Sequence, residues 1–169
     1  MAAIFAYRCR CCDQMFEGSP SFGYRRPDTW LEQSEAVQAA GASSDDFCRY
    51  ANDDGAFYFI RACLEVPIIG IEEPFLWGVW VSLSKTNFER YAATYDAVDV
   101  NDAYVGYLCN ALPAYPHTHG LSATVRPQAD GQRPLLELHD SENPLYVDFR
   151  DGITVAQAQA IAEKITRHK

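Results

Sequence analysis

Two stretches of this chain, FYFIRACLEVPI and FLWGVWVSLS, leave little freedom in how it folds. In the first, Tyr58, Ile60, Ala62, Leu64 and Val66 alternate onto one apolar face. The opposite face carries Phe57, Phe59, Arg61, Cys63 and Glu65, a mixed surface suited to lining a cleft. In the second, Phe75, Trp77, Val79, Val81 and Leu83 share one face, and Leu76, Gly78, Trp80 and Ser82 the other. Period-two alternation is the signature of a strand with one buried side. The link PIIGIEEP is short and turn-rich, so the two strands are predicted to pair antiparallel.

Weaker signals surround this pair. Ile4 to Cys9 reads as a short extended segment, and GSPSFGYRRPDTW as a loop punctuated by Pro20, Gly23 and Pro27. A helix is expected from Trp30 to Ala40, with capping-box spacing at Thr29 and Glu32 and a stop at Gly41. KTNFERYAATYDA reads as a second helix, capped by Thr86 and Glu89. AYVGYLCN suits a strand, and ALPAYPHTHG is a proline-broken loop. LSATVRP and PLLELHD form a hairpin around Ala129, Asp130 and Gly131. A last helix runs from Val155 to about Thr166, capped by Thr154 and Gln157. The order lacks a repeating strand–helix–strand rhythm. It predicts an α+β fold with a mainly antiparallel sheet and two or three flanking helices. Residues 1–169 are expected to form one domain, with the cysteine turn at 7–27 as a small appendage.

Composition narrows the class of function. Hydrophobic residues make up 48% of the 169, enough for a substantial core. No apolar run approaches the roughly 20 residues that span a bilayer. Arg8 and Arg10 follow the short run AAIFA instead of preceding an apolar stretch, so a secretory signal is not expected. The expected location is the cytoplasm, where thiols stay reduced. The net charge of −9 repels phosphates and anionic lipid, which argues against nucleic acid and membrane as partners. It suits a basic protein partner, and it also serves solubility.

Three of the six cysteines fall in YRCRCC, where Cys9 and Cys12 make a C-x-x-C. One such pair supplies half of a tetrahedral zinc site. Cys48 is the candidate third thiolate, if SSDDFC folds back on the turn, with His117, His119 or Asp45 as a fourth ligand. Zinc is therefore a possible cofactor. A thioredoxin-like role needs the pair at a helix start. Gln14 to Glu17 is cut off by Gly18 and Pro20, so that role is disfavoured. His117 and His119 lie on one side of an extended segment, and His139 sits at a strand end beside Asp140. Arg61, on the mixed face, needs a partner if buried. Asp45, Asp46 or Glu65 can supply one internally, or a ligand carboxylate or phosphate can supply it from outside. Trp80 faces away from Trp77 and is the candidate aromatic anchor for a protein contact.

Several blocks in order are similar to the bacterial family called Domain of Unknown Function 2199. They are the C-x-x-C, SPSFG, SSDDFC, FYFIRACLEVPI, WGVWVSLSKTNFERY, GYLCNALPAYPHTHGL, RPLLELHDSENPL and DFRDGIT, from about Tyr7 to Thr154. The resemblance implies a single-domain cytoplasmic protein and assigns no activity. Two positions depart from the pattern it implies: histidine is often expected where Phe16 and Asn143 stand. A glycine is also common after the C-x-x-C of metal knuckles, where this chain has Asp13.

Taken together, these residues predict a non-enzymatic protein-binding module. In its narrower form it is an immunity or inhibitor protein that masks a basic partner. Trp80, Arg61, Asp45 and Asp46 are the expected contact residues, and Cys9, Cys12 and Cys48 the expected metal ligands. The alternative is a metal- or thiol-dependent enzyme acting on a small molecule.

Overall fold

The computed structural model describes residues 4–166. The chain opens with a hairpin of β1 (Ala6–Arg8) and β2 (Met15–Glu17), then β3 (Ser21–Gly23). Helices α1 (Asp28–Leu31) and α2 (Glu35–Ala40) follow, then β4 (Ala42–Ser43) and β5 (Phe47–Asn52). The two long strands are β6 (Gly55–Val66) and β7 (Phe75–Leu83), followed by α3 (Lys85–Ala93). The second half holds β8 (Tyr104–Leu108), β9 (Ser122–Arg126), β10 (Leu135–Leu138), α4 (Pro144–Asp151) and α5 (Val155–Thr166).

β6 and β7 pair antiparallel over nine positions, from Tyr58 opposite Leu83 to Val66 opposite Phe75, as the alternation requires. The expected apolar faces are the buried ones: Ile60, Ala62, Leu64, Val66, Phe75, Trp77, Val79 and Val81 are all 1% exposed or less.

The sheet is not the mainly antiparallel one expected; it is mixed, and it closes. β6 and β7 are too long for one neighbour on each outer edge. β7 takes β3 in parallel at its start, Ser21 opposite Leu76, and β8 antiparallel at its end, Val81 opposite Leu108. β6 takes β5 antiparallel along its first half and β10 in parallel at Cys63–Leu135. Since β8 pairs with β9 and β9 with β10, the strands β6, β7, β8, β9 and β10 form a ring. Strand twist brings the two ends together, and closure removes edges. Gly106 marks the tightest approach. A Cβ there would sit 2.5 Å from the Ser82 carbonyl and 2.6 Å from a Val81 methyl.

The helices number five among the described residues, against two or three expected. The helix predicted from Trp30 to Ala40 is two short ones. Ser34 restarts it as an N-cap, accepting from the Val37 N–H, while Trp30 turns into the core. α3 is capped by Ser84, not Thr86, and Tyr95 lies beyond its end. α4 was not expected. Asn143 caps it by accepting from the Leu145 N–H, Pro144 sits at its start, and Gly152 ends it at φ 83°. α5 has the reciprocal cap foreseen: the Thr154 N–H donates to Gln157 Oε1 at 2.8 Å, and the Gln157 N–H to Thr154 Oγ1 at 3.1 Å.

Two buried clusters result. The main one fills the barrel and extends to Phe5, Tyr7 and Cys9 of the N-terminal hairpin and to Ala158 and Ala162 of α5. The second lies outside the barrel wall, where Trp30 of α1 packs with Cys48, Tyr50, Phe59, Trp80 and Cys109.

Candidate functional site

The outer face of β6 and β7 is divided in two. Its apolar half, Phe59 and Trp80, is covered by the α1–α2 segment. Its polar half, Arg61, Cys63 and Glu65 beside Gly78 and Leu76, remains open. A groove of about 470 Å³ lies over this half, lined by Cys63, Glu65 and Leu76 below and by Asp46, Tyr95 and Arg133 at the sides.

Arg61 lies at the edge of this groove, across two glycines. Its Nη2 would be 2.9 Å from a Cβ on Gly23, which would displace it, and 3.7 Å from one on Gly78, an ordinary contact. Its Nε–H is enclosed without an acceptor, and Nη1 reaches only the Asp45 carbonyl, at 3.5 Å. None of the ion pairs among the described residues involves Arg61. Asp46, a candidate internal partner, is engaged elsewhere. It accepts from Arg133 Nε at 2.8 Å and from the Tyr95 hydroxyl at 3.2 Å. Burial, and then the like charge of Arg133, holds the Arg61 pKa below its ordinary value, while the hydrogen bond to Asp46 raises that of Arg133. Burial also raises Cys63, so its thiol stays protonated in spite of two neighbouring arginines. Chemically, the groove offers a second guanidinium beside an underpaired one, fixed carboxylates, and an inert thiol.

Of the contact residues predicted from sequence, Arg61, Asp45 and Asp46 come together here. Trp80 does not, and its reading as a surface anchor is corrected. Its ring is 0% exposed, and Nε1–H donates to the Tyr24 carbonyl at 2.9 Å. Alternation placed it outside the barrel, but α1 covers that surface. Arg133, Tyr95, Gln128 and Gln132 were not foreseen, because only the folded chain carries those loops to β6. Gly23 in SPSFG and Gly78 between two tryptophans were the legible hints of a close approach.

The cysteine turn is the second cluster. The β1–β2 hairpin closes through Asp13 N–H to the Cys9 carbonyl, 2.8 Å, and Cys9 N–H to the Gln14 carbonyl, 2.9 Å. Asp13 adopts φ 58°, the left-handed conformation for which glycine is expected there, and its carboxylate pairs with Arg8 at 3.2 Å. The sulfurs of Cys9, Cys11 and Cys12 all lie within 4.8 Å of one another. Cys9 is buried, and the other two are exposed. The Cys9 and Cys11 sulfurs share a hydrogen bond at 2.9 Å in which either thiol can donate, and hydrogen bonding from the Cys11 and Cys12 backbones adds to it. These contacts lower Cys9 to about 7 and, from the other side of the same bond, raise Cys11 to about 11. Cys48, the expected third ligand, lies outside this group, and Cys11 is the third sulfur beside Cys9 and Cys12. Cys48 is opposite Phe59 in the second buried cluster, and burial pushes its thiol up to about 12.

The described histidines lie apart from both clusters. His139 is held by the Ser122 and Thr124 hydroxyls. His117 and His119 are exposed in the loop that Asn143 ties to α4 through the Pro116 and His117 carbonyls. Phe16 stacks on Tyr7, with centroids 5.3 Å apart.

A family model described as "Uncharacterized protein conserved in bacteria (DUF2199)" matches residues 8–153. The chain belongs to this family. The DUF2199 match takes in the cysteine turn, the groove strands and α4, and it ends at Ile153, whose N–H donates to the Pro67 carbonyl after β6. α5 falls outside it. No curated protein and no solved structure matches the chain. Among the described residues of this DUF2199 chain, no helix is long and apolar enough to cross a membrane.

Proposed function

We propose that this DUF2199 chain is a protein-binding module, and that a partner inserts a carboxylate-bearing segment into the groove beside Arg61. The observation that carries this reading is the unmet donor capacity of Arg61. Its Nε–H has no acceptor and it forms no ion pair among the described residues, at the edge of a groove that holds a second guanidinium at Arg133. An enclosed donor left unsatisfied costs about 1–3 kcal/mol. A carboxylate aligned with the Nε–Nη edge would recover that cost through a bidentate pair. An open groove fits an extended segment better than an enclosed small molecule.

The net charge of −9 adds a long-range contribution, steering a partner whose remaining surface is basic. The narrower version, an inhibitor masking a basic partner, rests on that charge. Its association rate falls steeply with ionic strength; a salt-independent rate counts against it.

The direct test is a titration with a hexaglutamate peptide, followed through the side-chain N–H signals of arginine. Binding should shift the Arg61 Nε–H resonance, and Arg61→Met should abolish the response. A peptide that binds equally well to Arg61→Met, or no binding at all, refutes the groove reading. The competing reading, a metal- or thiol-dependent enzyme acting on a small molecule, is favoured by the three thiols of the N-terminal turn.

A further inference from the structure

We propose that Cys9, Cys11 and Cys12 form a three-thiolate site for a soft divalent metal ion, with the fourth coordination position open to solvent. The ligand set follows from three independent features. First, the sulfurs have the right spread. Thiolates about 2.3 Å from a tetrahedral zinc lie about 3.8 Å from one another. The three sulfurs here lie within 4.8 Å of one another, with the Cys9–Cys11 pair at 2.9 Å, so the required spacing falls inside the observed range. Only the exposed Cys11 and Cys12 side chains need to turn.

Second, the backbone is already shaped as a metal-binding turn. Asp13 holds the left-handed conformation, and its N–H closes on the Cys9 carbonyl at 2.8 Å, so the turn holds the three sulfurs together. Third, the turn is anchored at both sides. Cys9 is locked in the main buried cluster, and the Arg10 N–H donates to Glu163 Oε1 of α5 at 3.3 Å. A soft ion is favoured because all three donors are sulfur. The fourth position stays open because no further histidine, cysteine or carboxylate among the described residues joins the group. Each thiol releases its proton to solvent as the metal–sulfur bond forms.

The test uses the full reduced chain with one equivalent of cadmium(II) or zinc(II), equilibrated against a competing chelator. Cadmium should give the ultraviolet thiolate-to-metal charge-transfer band. Cys11→Ser and Cys12→Ser, both at exposed positions, should each remove about a third of its intensity and weaken binding about tenfold or more. Cys48→Ala and Cys63→Ala should leave both unchanged. Cobalt(II) in the site should change its visible spectrum when a small thiol is added, reporting the open position. The proposal is overturned if the wild-type chain retains no metal. It is equally overturned if Cys48→Ala abolishes binding while Cys11→Ser does not, or if the cobalt spectrum ignores added thiol.

Discussion

The guanidinium of Arg61 rests on Gly23, so close that a single methyl on that glycine would stand 2.9 Å from Nη2. The contact is with the free end of a flexible side chain, not with backbone. Gly23→Ala is therefore expected to displace Arg61 while changing stability by less than about 1 kcal/mol. Affinity for an acidic peptide should fall about tenfold, a loss near 1.4 kcal/mol. Chemical denaturation and the arginine-detected titration measure the two effects separately. Gly78→Ala should behave differently, since its Cβ would lie 3.2 Å from the Gly23 Cα and would press β3 away from β7.

Trp80 belongs to the core, and its removal should be felt as lost stability. Trp80→Phe leaves the Tyr24 carbonyl without its donor and opens space among Trp30, Tyr50 and Phe59. The expected cost is about 2–4 kcal/mol by urea denaturation. Peptide affinity per folded molecule should not change. A variant of unchanged stability and weakened binding would restore Trp80 as a contact residue.

Asn110 is 0% exposed and fully used. Its Oδ1 accepts from the Trp80 N–H at 2.8 Å, and its Nδ2 donates to the Arg26 carbonyl and to Asp28 Oδ1, both at 3.1 Å. It ties β7 to the start of α1. Asn110→Ala should cost about 3 kcal/mol, because it strands several buried groups at once. Asn110→Asp should cost more, since it loses the donor and sets a second carboxylate against Asp28.

Stability should decline above about pH 10. Burial raises the hydroxyls of Tyr91 and Tyr115, and that of Tyr24 to about 12. Below pH 10 these groups are neutral in both states. Above it the unfolded chain releases protons that the folded one retains, so unfolding is drawn forward. The contribution is fully present below the unfolded pKa and is lost as pH rises through the folded values. Tyr91→Phe should flatten the decline in melting temperature between about pH 9 and 11. A melting temperature constant across that range would refute the assignment.

What was readable in advance tracks the range of the forces involved. The antiparallel β6–β7 pairing, the faces of both strands, the β9–β10 hairpin and the Thr154–Gln157 cap depend on neighbours within a few residues or one turn. α4 was missed although Asn143-Pro144 announces it, because its eight residues are too few for the Leu145–Phe149 spacing to stand out as a helical period. Half of the groove was readable as a polar strand face. The other half, Arg133 and Tyr95, arrives from 30 or more residues beyond Glu65, the last groove residue of β6.

The sequence alone determined an α+β chain with a two-stranded spine, one apolar and one mixed face, and a thiol-rich turn, since period and turn chemistry are local properties. Tertiary structure decided that the spine closes into a ring, that Trp80 is covered while Arg61 is not, and that Cys11 instead of Cys48 joins Cys9 and Cys12. The reason is physical: a side chain's surroundings depend on which distant strand or helix packs over it, and no local pattern encodes that choice.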